Sequence, residues 1–200
     1  MSASVVTLWD WRRRVSALYA RVRTMNDPQA GWAVWREERD ALFGGHAQTP
    51  LDAAAHAAFR GIAYFPYDPA LRLVVGLVPV TAPPVEFPAA DETIALRAFA
   101  RTQGLEEAFG GELTLYWITG YGGGVFLPFG DATNRDESFA AGRYLLDTIK
   151  GADLGMVGDR VLLDFNFSYF PSCAYSPRWV CPLAPAENRL PASVRAGERC

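Results

Sequence analysis

The chain has 200 residues, of which 50% are hydrophobic and 20% charged, with a formal net charge of -3. This fits one ordinary globular domain and excludes both a largely disordered chain and two large domains. The slightly acidic balance offers no global field for a phosphate backbone, so nucleic acid is not an expected partner.

Val5, Leu8, Trp9, Val15, Leu18, Tyr19 and Val22 recur at three- and four-residue intervals and predict an amphipathic helix, with Trp11 beside the stripe. Asp27 and Pro28 form an N-cap and first-turn pair for a second helix, on which Trp32, Trp35, Arg39, Leu42 and Phe43 share a face and which Gly44 and Gly45 end. Thr49 and Pro50 give a further start signal for an alanine-rich helix that Gly61 can terminate. The opening stretch has no signal-peptide core, and no segment approaches the roughly 20 apolar residues of a membrane helix. With only three cysteines, a disulfide framework is not expected, and the predicted setting is cytoplasmic.

After Gly61 the pattern changes to short extended runs: IAYFPYD, LRLVVGLVPV, TIALRAF, ELTLYWIT, GVFLPF, RYLLDTI, RVLLDFNF and ASVRA. Such spacing predicts strands, with Pro79 to Pro88 as a surface crossing and Arg101 to Gly111 as a hairpin loop. The expected fold is α+β: a helical segment, residues 1–60, packed on a β-rich body, residues 61–200, built as an antiparallel β-sandwich or open β-barrel within one structural domain.

Candidate chemistry concentrates after Gly122. In RVLLDFNFSYF, strand alternation would put Asp164, Asn166 and Ser168 on one face. That face is either solvated or the wall of a site in which Asp164 acts as base or metal ligand and Asn166 orients a substrate. Arg143, following Gly142, could reach an anionic group, or pair with Asp164 or Glu198 in a structural role. Asp131 would cap a turn or face the same cavity as Arg143. Tyr175, Asn188, Arg189 and Glu198 complete the set of ligand-contact candidates.

Cys173 and Cys181 are close enough in sequence to bridge, share a metal or pack as small apolar groups, but their spacing is no recognised zinc pattern. A Cys173 nucleophile would need a base, for which His46, in the loop GGHAQTPL, is the better of two histidines. Lys150 is the single lysine and hence the one Schiff-base candidate. The GYGGGVFLPFGD run lacks the GK[ST] ending of a phosphate loop, and no motif names a cofactor or a metal site.

The strings GGVFLPFGDAT, AGRYLLD, LLDFNFSYFPSCAYSPRWVCPLAP and ENRLPASVRAGE resemble a bacterial family known as domain of unknown function 1684. The resemblance implies no reaction. It does imply weight for His46, since family members look like HPQSPL where this chain has His46 to Leu51. Two departures stand out: Phe139 where the usual pattern resembles Thr-Tyr, and Phe170 where Tyr-Asn-Pro is usual. The reading that follows is a pocket that binds or processes a small polar or anionic molecule. Two alternatives accompany it: a hydrolase or transferase using Cys173 or Asp164 with His46, and a noncatalytic interaction domain docking through its N-terminal tryptophans.

Overall fold

A computed structural model describes residues 3–89 and 92–200. Helices α1 (Ala3–Arg23) and α2 (Pro28–Gly45) pack on each other. The α2 start is as the sequence predicts, with Asp27 accepting from the amides of Gln29 and Ala30 at 2.9 and 3.2 Å and so satisfying two orphan donors of the first turn. Its apolar stripe is buried through Trp32, Trp35, Leu42 and Phe43. On α1 only the C-terminal half of the stripe, Leu18, Tyr19 and Val22, is buried, while Val5, Leu8 and Trp9 are exposed. The alanine-rich helix α3 (Ala53–Ala58) starts three residues later than Thr49 and Pro50 suggest, because Asp52 supplies the cap by accepting from Ala55 N at 2.8 Å.

The strands are β1 (Arg72–Pro79), β2 (Val85–Ala89), β3 (Glu92–Gln103), β4 (Thr114–Ile118), β5 (Gly124–Phe129), β6 (Arg143–Asp147), β7 (Met156–Val157) and β8 (Arg160–Asp164). They form one antiparallel sheet in the order β6-β5-β4-β3-β1-β8-β7, with β2 also paired to β3. Two expected loops are therefore partly regular. The proline-rich crossing contains β2, and the stretch from Arg101 holds the end of β3 and a one-turn helix α4 (Glu106–Phe109).

The sheet curls into a half-barrel, and local geometry shows how. The pairing of β3 with β4 shifts between Ala98 and Ala100, and that of β5 with β6 shifts between Leu127 and Pro128; such bulges increase twist and bend a strand. The first also reverses strand parity: Leu96 and Ala98 face the helices, but Ala100 falls in the opposite core. At the open side, Tyr144 of β6 exchanges both backbone hydrogen bonds with Tyr169, at 2.8 and 3.0 Å, closing the curl at one point.

Alternation then serves two cores. Leu115, Leu127 and Phe129 point into the curl with Leu105, Phe109, Leu113, Leu163 and Phe165. Tyr116, Phe126 and Tyr144 point outward to meet Tyr19, Trp32 and Trp35 from the helices. Both faces of the central strands are thus covered, which explains their nearly unbroken apolar sequences.

Three expected strand segments differ. IAYFPYD and ASVRA are not ladder strands; the first makes a single bridge, Tyr64–Glu198, to the chain just beyond the second. In RVLLDFNF the strand stops at Asp164, whose side chain accepts from Asn166 N at 3.0 Å and caps a 3-10 turn over Phe165–Phe167. A turn has no period of two, so Asn166 does not continue a polar strand face, and Phe165, Asn166 and Phe167 are all buried.

The C-terminal segment passes so close to that turn that Gly197, at φ 72°, has no room for a side chain. A Cβ there would collide with the Ser168 hydroxyl and carbonyl and lie 3.0 Å from the Phe165 carbonyl. Combining the left-handed penalty with forced repacking, Gly197→Ala is expected to cost about 3 kcal/mol. Urea unfolding checks this, and a loss near zero would mean the segment is not held so closely.

Candidate functional site

Two adjoining cavities lie between α1 and the helix-facing side of β3 to β6. The outer one is a cleft of about 430 Å³ whose walls include Trp11, Ile118, Phe126, Tyr144, Trp179 and Val180. The inner chamber, about 70 Å³, is lined by Tyr19, Arg39, Phe43, Tyr169 and Tyr175 among others. Trp11, Pro50, Lys150, Tyr169, Phe170 and Ser172 border both. A third groove, about 300 Å³ between α1 and α2, is lined by Arg13, Arg14, Arg21 and Glu38. These arginines are already engaged by Asp10 or Glu38 in exposed ion pairs, which contribute little.

Charge at the chamber is organised in two pairs. Arg39 donates to Glu198, whose second oxygen accepts from Phe170 N at 2.6 Å and the Tyr175 hydroxyl at 2.5 Å. The guanidinium also sits 4.8 Å from the centre of the Trp35 ring and 5.0 Å from that of Tyr169. Lys150 Nζ lies 2.5 Å from Asp147 Oδ2. Burial, reinforced by the Glu198 charge, holds Tyr175 well above the ordinary phenol range, so it is a neutral donor to that carboxylate.

Not every polar group is met. The hydroxyls of Tyr19 and Tyr169 and the indole nitrogen of Trp35 are buried without a hydrogen-bond partner among the described residues. Tyr19 and Tyr169 are 2% and 8% exposed, and both border the inner chamber. Burial is the main cause pushing both phenols upward, so both keep their protons.

The sequence candidates divide between this site and the framework. Tyr175 borders the chamber and Glu198 is bonded to its Arg39. Arg143 borders neither cavity. It is fully buried, pairs with Asp131 at 2.6 Å, and donates to the carbonyls of Val194, Ala196 and Glu198. Those three carbonyls belong to alternate residues of the C-terminal segment. ASVRA therefore gives two of its carbonyls, those of Val194 and Ala196, to a guanidinium instead of a neighbouring ladder.

Asp164 pairs with Arg72 at 2.9 Å and accepts from the Asn166 amide group, which also bonds both backbone groups of Asp68. Burial raises Asp164, against the lowering effect of Arg72 and Asn166. Asn188 bridges the Thr114 backbone and the Pro128 carbonyl, each at 2.8 Å, and Arg189 is exposed. His46 accepts from Gln48 N at Nδ1 and faces Asp10 with Nε2 at 3.2 Å, bracing the start of the loop against α1. His46, Asp164 and Cys173 thus have separate partners, and no hydrogen bond joins them.

Cys173 and Cys181 are free thiols that influence one another, and Cys181 borders the cleft. Burial, then the neighbouring Cys181, pushes the Cys173 thiol up to about 11, the opposite of what a nucleophile requires. Among the described residues no three His, Cys, Asp or Glu side chains gather as a metal-binding cluster.

Sequence reading missed Tyr19, Arg39, Tyr144 and Tyr169 as site residues because each follows a helix or strand pattern that reads as packing. Trp11, off its helical stripe, and the solitary Lys150 were the available signals.

Fold and cleft together define an α+β half-barrel protein with an aromatic-lined cavity under its N-terminal helices. A family model for proteins of unknown function, DUF1684, matches residues 57–199, and the chain belongs to that family. The solution NMR structure of the uncharacterized protein from gene locus rrnAC0354 of Haloarcula marismortui is similar, at 31% identity and a TM-score of 0.60. The likeness covers 88% of this chain and 98% of that one, so it extends from the family region into the helices. No curated protein matches.

Two expectations follow. Arg143→Ala would leave Asp131 and three carbonyls buried without their donor and should cost about 3–5 kcal/mol. Chemical denaturation checks this; a stable, folded variant would return Arg143 to the list of ligand contacts. Cys173 should alkylate slowly at pH 8, where roughly 0.1% is thiolate, and faster as pH approaches about 11. Mass-resolved iodoacetamide labelling follows it, and a plateau below pH 8 would restore it as a nucleophile candidate.

Proposed function

We propose that the protein binds a small molecule with an apolar body and one polar end, the body in the outer cleft and the polar end toward the inner chamber. The observation that carries this reading is the pair of cavities that share six lining residues: about 430 Å³ of largely aromatic, aliphatic and proline wall beside about 70 Å³ edged with phenols and ion pairs. That combination, an apolar concavity with a few convergent polar groups, is the usual form of a ligand site. The two departures from the family pattern support it. Phe139 and Phe170 pack with ring centres 5.9 Å apart and planes tilted by 52°, and Phe170 borders both cavities, so this chain offers ring surface where the resemblance implies a hydroxyl and an amide.

Binding without catalysis is favoured over a hydrolase or transferase because burial raises the Cys173 thiol and the cleft phenols Tyr144 and Tyr169, and no activated nucleophile stands beside a base. A docking face built on the helical tryptophans is less supported, since Trp32 and Trp35 are buried and, of those three, Trp9 alone is exposed. The free thiols accord with a reducing, cytoplasmic setting. No described helix is long and apolar enough to cross a membrane.

The neutral fluorophore N-phenyl-1-naphthylamine tests the outer cleft, since its emission rises on entering an apolar site. Val180 is exposed at the cleft wall, so Val180→Asp should fold normally and weaken the probe at least tenfold, whereas Val157→Asp, on β7, should not. Equal binding by both variants would place the probe elsewhere and refute the cleft as the site.

A further inference from the structure

We infer that the exposed face of α1 docks the protein on an anionic lipid bilayer, with Val5, Leu8 and Trp9 entering the headgroup region and Arg12 and Arg13 held against lipid phosphates. This stands apart from the cleft reading, whose test contains no lipid.

Val5, Leu8, Trp9 and Arg12 fall at i, i+3, i+4 and i+7, so they form one stripe of the helix. All four are exposed, Trp9 to 68% and Val5 to 56%, and Val6 beside them is exposed too. The helix is held firmly where it presents them. Gln48 donates to the Thr7 hydroxyl at 2.8 Å and to the Ser4 carbonyl at 3.2 Å, Asp10 meets His46, and Trp11 packs against the His46 ring with centres 5.2 Å apart. These contacts fasten the other side of the first turns to the loop after α2, which leaves the apolar stripe facing outward. Leu8 and Arg12 also border the outer cleft, whose lining includes two more exposed aliphatics, Ile149 and Val180. The exposed apolar surface thus continues from the helix onto the cleft rim, the form of a contact face and not of scattered single residues.

Charge decides what covers it. α1 carries five arginines, and Asp10 is its only acid, whereas the whole chain has 19 basic and 22 acidic side chains. The helix is therefore a cationic end on an acidic protein, and an anionic surface would orient that end toward itself. Asp10 is shared by Arg13 and Arg14, at 2.8 and 2.7 Å, and Arg12 has no carboxylate partner among the described residues. A second copy of the chain would set two cationic helices against each other, a like-charge cost. A bilayer suits both parts of the surface at once. The tryptophan ring favours the headgroup level, the aliphatic side chains bury just beneath it, and arginine meets phosphate through its planar fork. No described helix is long and apolar enough to cross a membrane, so the mode is attachment by one face, with the first turns of α1 lying along the surface.

Sedimentation with sucrose-loaded vesicles tests this, comparing pure phosphatidylcholine with an equal mixture of phosphatidylcholine and phosphatidylglycerol. At about 0.1 M salt the anionic vesicles should carry down roughly tenfold more protein, and about 0.5 M salt should release most of it. Trp9→Ser and Arg12→Glu should each weaken binding to anionic vesicles roughly fivefold or more. Neither should change the melting temperature, because both side chains stand in water. Val157→Ser, which alters an exposed aliphatic on β7, should bind as the unaltered chain does. Failure to bind anionic vesicles overturns the inference, and so does equal binding to the two vesicle types. Binding that both variants leave intact overturns it as well, since the lipid would then meet another face. A loss in only one variant reduces attachment to charge alone or apolar contact alone and overturns the joint face. A dimer in sedimentation equilibrium that Trp9→Ser dissolves would assign the face to a second copy instead of a bilayer.

Discussion

The withdrawal of two arginines from solvent, Arg143 fully and Arg39 largely, each met by the C-terminal segment, is the constraint on which the rest of the arrangement depends. Arg143, at the start of β6, takes three carbonyls of that segment and the Asp131 carboxylate. Arg39, on α2, takes the carboxylate of Glu198 from the same segment. A buried guanidinium without such partners would be untenable, so the tail must lie where it does, and in lying there it ties the helical layer to the sheet. Gly197 between them is the place where tail and turn touch, which leaves no freedom to shift the segment sideways.

The cavities are a consequence of that tie. Glu198 draws Arg39, Tyr175 and the Phe170 amide to one carboxylate, which ties the start of the chain from Tyr169 to Pro182 to α2. The Tyr144–Tyr169 bridge fixes its first residue to the sheet, and the Tyr144 hydroxyl, donating to the Pro182 carbonyl at 2.6 Å, fixes its other end. Between these anchors the walls are mainly large rings, which cannot fill the angle between a helix and a curled sheet completely. The polar groups at the bottom are those the framework needed in any case.

The local signals in the sequence were mostly reliable. The Asp27 cap, the buried face of α2 and the runs that became β1, β4, β5 and β6 were legible because each depends on residues a few positions apart. Density of polar residues after Gly122 was also a true signal, but of a different kind of object. Asp131 with Arg143, Asp164 with Asn166, and Asn188 are buried polar groups that satisfy backbone atoms across the fold. A buried polar residue in a site and one in a structural clamp have the same side chains and similar neighbours in sequence, so composition could not separate them.

From its sequence alone the chain determined an α+β protein with helices leading a β-rich body, membership signals of its family, and where its turns and caps must fall, since these follow from short-range periodicity and backbone chemistry. Only the tertiary structure decided that ASVRA would serve a guanidinium instead of a ladder, that the strand at Asp164 would end in a turn, and that Tyr19, Arg39, Lys150, Tyr169 and Tyr175, spread over more than 150 positions, would border one chamber. Such convergence depends on which faces remain when every buried donor and charge has been paired, and that pairing is settled between elements far apart in the chain.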